Sequence, residues 1–332
     1  MREMQALSFP VATLEGQVLL PAGTLLTEQV LVKLASAGRL VPREEVPLLD
    51  HGQVREDLRR CLDITPYDEI FGDTGMVNEL MARMQPVRLP LPLLYALDYF
   101  RAHDFNTYRH ILTVFALSML VAEDVIPGYR ERDGYVVAGP THDFGKLCIP
   151  LAILQKSSPL TRQEHRLLVQ HTLAGQVLLT YYFGDHLHPA VIVARDHHER
   201  RDGSGYPHGS TDTAPIVELV AACDVYDALL SSRPYRPLSY DNRTALEELT
   251  TMAEQGKLGW DGVTALVSRN RKEKPGVESV VVSHDRRGVP PLGNCYGTFA
   301  EEDKASGAGL NIWASGGMFS TCGLTPVIEA ED

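Results

Sequence analysis

The chain has 332 residues, 44% of them apolar and 22% charged, which excludes a disordered or collagen-like polypeptide and leaves room for one sizeable core with smaller units attached. Its formal charge of -12 argues against partners such as nucleic-acid polymers or an anionic membrane surface, although a small anionic ligand requires only a local basic pocket. The cysteines, Cys61, Cys148, Cys223, Cys295 and Cys322, are odd in number and lack CxxC spacing, so a disulfide framework and a zinc knuckle are both disfavoured and reduced thiols are expected.

At the N-terminus no continuous apolar stretch leads to a small-residue cleavage site, and a cytoplasmic location is expected. Between residues 8 and 50, GQVLLPAG sets an apolar run among turn residues, and TEQVLVKLASAG has helical spacing with a terminal glycine. A small α/β unit follows from this pattern. Residues 54–84 are charged and weakly periodic, with Pro66 and Gly72 as breakers, and the proline-spaced QPVRLPLPLL comes next. We expect a linker there, so that residues 1–85 make a regulatory or dimerisation domain with its linker.

Apolar residues then recur at helical spacing from Leu91 to Asn270, which predicts an all-α domain over residues 86–274. Ile111 to Ala122 is too short for a bilayer, which needs roughly twenty apolar residues, and reads as a buried helix. Thr161 and Glu164 have capping-box spacing, and on the helix they start, Leu167, Leu168, His171, Gly175 and Leu178 share one face, turning His171 inward. Residues 275–332 change character, from a strand-like SVVVSH to the glycine-rich KASGAGLNIWASGGMFSTCG, and form an expected irregular extension. The fold class is mainly α: a helical bundle with a small N-terminal α/β domain and an irregular C-terminal tail.

Within the helical region, histidines and aspartates gather at a few points: His110, His142 with Asp143, His171, His197 with His198, and Asp224. Imidazole and carboxylate ligands together suit a dinuclear iron, manganese or zinc site better than an all-oxygen magnesium site. A carboxylate such as Asp143 can bridge two ions at roughly 3.5–4 Å, the spacing used for in-line displacement at phosphorus. Asp224 falls on the same helix face as Ile216, Val220 and Cys223, where an ionised carboxylate needs a cation or several donors. Asp227, three residues on, is open between an outer acceptor and a surface position, and is left outside the ligand set. His186 and His188 have HxH spacing but sit beside Gly184 and Pro189, which suggests a solvated turn. In DGSGYP, Gly203 and Gly205 permit close backbone approach, Pro207 stiffens the exit and Tyr206 can present its ring or hydroxyl to a ligand.

The segments THDFGK (141–146), HHERRDGSGYP (197–207) and CDVYDALLSSRPYR (223–236) resemble the HD-GYP branch of the HD phosphohydrolase superfamily, and the resemblance extends over about Tyr95 to Asn270. It implies an all-helical HD-domain bundle and metal-dependent hydrolysis of cyclic di-GMP to linear pGpG or GMP. It implies that His110, His142, Asp143 and Asp224 are the superfamily's metal ligands and that His171, His197 and His198 complete a second metal site. Asp143 and Lys146 would then be catalytic, with Lys146, Tyr206, Arg233 and Arg236 binding substrate. Two divalent ions are expected, iron or manganese first, with zinc, nickel or magnesium as alternatives. Some members place a glutamate one turn before the first histidine to hold a third ion. Asn106 stands there, so a third is not expected.

Two competing readings accompany this one: a cyclic-dinucleotide sensor or protein-interaction module without turnover, and an HD hydrolase of another nucleotide such as cyclic GMP-AMP. The resemblance also admits a homodimer, and a diguanylate cyclase or other signalling protein as partner.

Overall fold

A computed structural model describes residues 5–129, 132, 134–232, 238–291 and 300, and helices dominate it. In chain order these are α1 (Glu28–Arg39), α2 (Val54–Leu62), α3 (Asp68–Phe71), α4 (Thr74–Met84), α5 (Leu91–His103), α6 (Phe105–Val125), α7 (Tyr135–Thr141), α8 (Leu151–Leu154), α9 (Arg162–Val169), α10 (His171–Phe183), α11 (Pro189–Asp196), α12 (Pro215–Leu230), α13 (Asn242–Glu254) and α14 (Trp260–Arg269). Their starts are written in the sequence. The side chains of Thr27, Asp73, Asp104 and Asp241 each accept from an amide of the helix that follows, and prolines open α5, α11 and α12, where an amide hydrogen would have no partner.

The mainly α bundle expected from the helical spacing is what the chain forms. Its axis is α6, buried without interruption from His110 to Ala122 and packed against α2, α4, α5, α7, α12 and α14. No helix among the described residues is long and apolar enough to cross a membrane. Beside this group, α10 packs on α1 and α11.

The N-terminal α/β pattern appears as an antiparallel pair, β1 (Val11–Ala12) with β2 (Val18–Leu20), followed by α1. Gly38, expected to end that helix, lies within it, and the C-cap is Leu40. A methyl group on Gly38 would collide with the Tyr181 carbonyl, so this glycine serves the close crossing of α1 and α10. Leu7, Phe9, Val11, Leu19, Leu20 and Leu34 belong to the same buried cluster as the helices of the bundle.

Residues 54–84 are not a linker. They fold into α2, α3 and α4, with Leu58, Leu62, Ile70, Phe71, Leu80 and Met84 buried. Pro66 and Gly72 punctuate three short helices, whose charged outer faces dilute the apolar period. A second antiparallel pair, β3 (Glu45–Pro47) with β4 (Arg88–Pro90), ties the two ends of this excursion together.

The single helix expected after Thr161 is interrupted. Thr161 and Glu164 do form the capping box, but α9 stops at Val169 and α10 begins at His171. The His171 ring takes the Leu168 carbonyl and the Thr172 hydroxyl takes that of Val169, the acceptors a continuous helix would need. SVVVSH forms no strand. Residues 280–291 run along α13 instead, with Arg286 paired to Glu254 and the amides of Arg287 and Gly288 donating to Glu247.

Candidate metal centre

Five helices deliver the chemistry. His110 lies in α6, His142 follows α7, His171 opens α10, His197 and His198 follow α11, and Asp224 lies in α12. Asp143 precedes a short 3-10 turn, Phe144–Cys148, that crosses α10 closely enough for only a glycine at 145. All seven residues read from the sequence as ligands come together in two groups. His110, His142 and Asp224 form one, and Asp143, His171, His197 and His198 the other; within each group the candidate ligand atoms lie within 4.8 Å of one another.

Asp143 stands between the groups. Its Oδ2 is 3.4 Å from Nε2 of His110 and 3.5 Å from Nε2 of His142, and its Oδ1 is 3.5 Å from Nε2 of His171 and 3.7 Å from Nε2 of His197. Oδ1 is buried without a hydrogen-bond partner. A buried carboxylate oxygen left so is costly unless a cation lies beside it. On the first side, Asp224 Oδ1 is 3.1 Å from His110 Nε2, and on the outer edge Asp224 Oδ2 is 3.9 Å from His198 Nδ1.

The far side of the rings fixes their tautomers. Nδ1 of His142 donates to the Gly139 carbonyl at 2.8 Å, that of His171 to Leu168 at 2.7 Å, and that of His197 to Val193 at 3.0 Å. A carbonyl only accepts, so each of these nitrogens carries the hydrogen. In His110, Nδ1 is 2.5 Å from Oδ2 of Asp227. Burial holds His142 below the usual imidazole range, lowers His171 to about 4 and, with the neighbouring His142, lowers His197 to about 3. Burial and His197 likewise keep His198 well below its ordinary value. These rings are neutral near pH 7, and Nε2 of His142, His171 and His197 therefore presents a lone pair. His142 and His110 meet Nε2 to Nε2 at 3.3 Å, and His171 and His197 at 3.5 Å. For His171 and His197 these are lone pairs facing one another across a buried gap, which needs a positive charge between them.

Asp143 and Asp224 stay ionised despite burial, which on its own raises both. Lys146 holds Asp143 well below the carboxylate range, and the neighbouring His110 ring does the same for Asp224. The donor set, neutral imidazoles with ionised carboxylates in a largely buried cluster, fits divalent transition-metal ions.

Around these groups lie parts that sequence reading found only in outline. Asp227, left open above, is fully buried and belongs to the site, accepting from His110, Ser231 and Tyr67. Glu199 of HHER is not among the candidate residues of the sequence. It is 3% exposed and accepts from the amides of His208 and Ser210 at 2.7 and 2.9 Å, folding the DGSGYP loop back on itself. A Cβ on Gly205 would come to 2.5 Å from the Arg200 amide, so the loop presses directly on HHER. Tyr206 is thereby stacked on His198, ring centroids 4.6 Å apart, at the rim of the second group. Lys146 pairs with Asp143 through its ammonium.

Arg233 and Arg236 lie outside the described residues. His188 is not a solvated turn residue. Its side chain caps α11 and its ring stacks on Phe183, while its HxH partner His186 has a buried Nε2 without a hydrogen-bond partner.

Residues 116–261 match the HD domain family. Over 148 residues the chain is 40% identical to the cyclic di-GMP phosphodiesterase response regulator RpfG of Xanthomonas campestris pv. campestris, covering 43% of this chain and 38% of that protein. It is 38% identical over 148 residues to a cyclic di-GMP phosphodiesterase of Thermotoga maritima, covering 44% of this chain and 40% of the other. It is 33% identical over 134 residues to 3'3'-cGAMP-specific phosphodiesterase 1 of Vibrio cholerae, covering 39% and 30%. The chain thus spans at most 40% of the length of these curated relatives.

Proposed function

We infer that this chain, which carries an HD domain at residues 116–261, hydrolyses the phosphodiester bonds of cyclic di-GMP with two divalent metal ions. One observation carries the reading: the two oxygens of Asp143 face two separate groups of imidazoles, and one of those oxygens is buried without a hydrogen-bond partner. His110, His142 and Asp224 would hold one ion, His171, His197 and His198 the other, with Asp143 shared. Bound there, the ions would supply Lewis acidity and a water acidified toward neutrality.

The remaining work falls to the protein. Lys146 places its ammonium beside Asp143, suited to offset charge that builds on phosphoryl oxygens. Tyr206 offers a ring face at the rim, and Glu199 fixes the loop that presents it. Arg233 and Arg236 are proposed contacts to phosphate or guanine on the strength of the RPYR resemblance. Buried, unpaired Cys61, Cys148 and Cys223 agree with a reducing, cytoplasmic setting.

The test is turnover by the Asp143→Ala chain loaded with manganese or iron. Loss of at least about a thousandfold is expected, since several kcal/mol of transition-state stabilisation depend on the metals. Retained hydrolysis overturns the assignment. The similarity to a protein named as 3'3'-cGAMP-specific supports a second substrate reading, and competition between cyclic di-GMP and 3'3'-cGAMP decides it. Product no greater than background, with ligand still bound, would favour a sensor.

A further inference from the structure

We propose that Tyr67 is a positioning residue for the metal centre, acting through Asp227 on His110; this rests on the reading of His110 as a ligand. Tyr67 precedes α3 and is 1% exposed. It lies outside the segment that matches the HD domain family, in the excursion expected to be a linker. Its hydroxyl donates to Oδ1 of Asp227, across 160 positions of sequence. Oδ2 of the same carboxylate takes the Ser231 hydroxyl at 3.0 Å and Nδ1 of His110 at 2.5 Å.

The two oxygens are therefore divided. His110 and Ser231 hold one, and Tyr67 takes the other, which stops the carboxylate from turning about its Cβ–Cγ bond. Tyr67 is itself held at the backbone: its amide donates to Ile64, and its carbonyl accepts from Ile70 and Phe71. Outer partners that orient a metal-binding imidazole set both its tautomer and its direction. Here that outer shell reaches from α12 into the helical excursion ahead of the HD domain. The order and packing of residues 54–84 thereby enter the geometry of His110.

Of the candidate ligands Asp227 hydrogen-bonds His110, which belongs to the group with His142 and Asp224, so the effect must be one-sided. The whole 332-residue chain, stripped of metal, is titrated with Mn²⁺ while free ion is followed by electron paramagnetic resonance, for wild type, Tyr67→Phe, Asp227→Asn and the double variant. Phenylalanine keeps the buried ring and removes only the hydroxyl. Asp227→Asn is expected to weaken one of two binding steps by about 10–100-fold. Tyr67→Phe, one bond further out, should weaken the same step several-fold and leave the other unchanged. In the double variant the two losses should not multiply, as required if Tyr67 works through Asp227.

Thermal melting of the metal-free proteins reports folding separately. A purely structural tyrosine would lower both steps together, or neither, and either result overturns the proposal. Multiplying losses overturn it as well. If Asp227→Asn loses one step while Tyr67→Phe titrates like wild type, this inference fails and the metal-centre reading stands. A wild-type chain that takes up no Mn²⁺ removes both.

Discussion

Gly145→Ala is the sharpest small perturbation the centre allows. The glycine lies two residues after Asp143 and one before Lys146, where the 3-10 turn crosses the start of α10. A Cβ there would stand 2.8 Å from the His171 carbonyl carbon and closer still to its oxygen and to the Gly175 amide. All three are backbone atoms of one helix, so no side chain can swing aside, and the turn must retreat by about 1 Å. A retreat of that size is comparable with the slack between Asp143 Oδ1 and His171 Nε2, now 3.5 Å apart, and a misplacement of roughly 1 Å can cost about a hundredfold in rate. Overpacking adds about 1–3 kcal/mol of destabilisation. Cyclic di-GMP turnover, metal content and thermal melting should be measured on one preparation, with Gly175→Ala as the control. A Cβ at 175 would meet the Ala194 side chain at 3.3 Å and the Gly145 amide at 3.5 Å, so this variant should lose far less. If Gly145→Ala kept turnover within threefold of wild type while folded, the close crossing would have no part in placing Asp143 against His171.

Other consequences can be checked independently. Glu199→Gln replaces one of two accepting oxygens with a donor that faces an amide, so the loop should lose about 1–3 kcal/mol and the KM for substrate should rise, while metal content by elemental analysis stays at the wild-type value. Arg201 pairs bidentately with Glu218, yet its side chain is 47% exposed, and Arg201→Ala should change stability in a denaturant titration by no more than about 1 kcal/mol. Removal of metal by a chelator should abolish turnover and lower the melting temperature, because an ion at about a thousand times its Kd stabilises a fold by about 4 kcal/mol; restoring Mn²⁺ should reverse both.

What could be read from the sequence divides along a physical line. The seven candidate ligands could be gathered from the sequence because imidazoles and carboxylates cluster at a few points of the helical region and because their short motifs resemble those of HD-GYP proteins. Asp227 was half legible: its place on α12 could be read, but its partners belong to other helices. Tyr67 was not legible at all, since its contact with Asp227 spans 160 positions and a tyrosine among charged residues carries no local signal. The excursion from 54 to 84 reads as a linker for a related reason. Helices as short as Asp68–Phe71 gain their stability from tertiary packing, which a periodicity of a few residues does not reveal. The break before His171 followed from competition for backbone acceptors, which spacing does not show.

The rings of the centre differ in what guards the hydrogen on Nδ1. For His142, His171 and His197 the guard is a carbonyl three or four residues back in the same chain segment, at Gly139, Leu168 and Val193. Such an arrangement arrives with the turn that carries it and survives as long as that turn does. His110 depends on a carboxylate 117 positions away. Damage remote from the pocket that lets α6 and α12 drift apart would therefore scramble one imidazole before the others, and, with two ions bound as proposed, loss of one ahead of its neighbour would be the earliest symptom of a weakening fold.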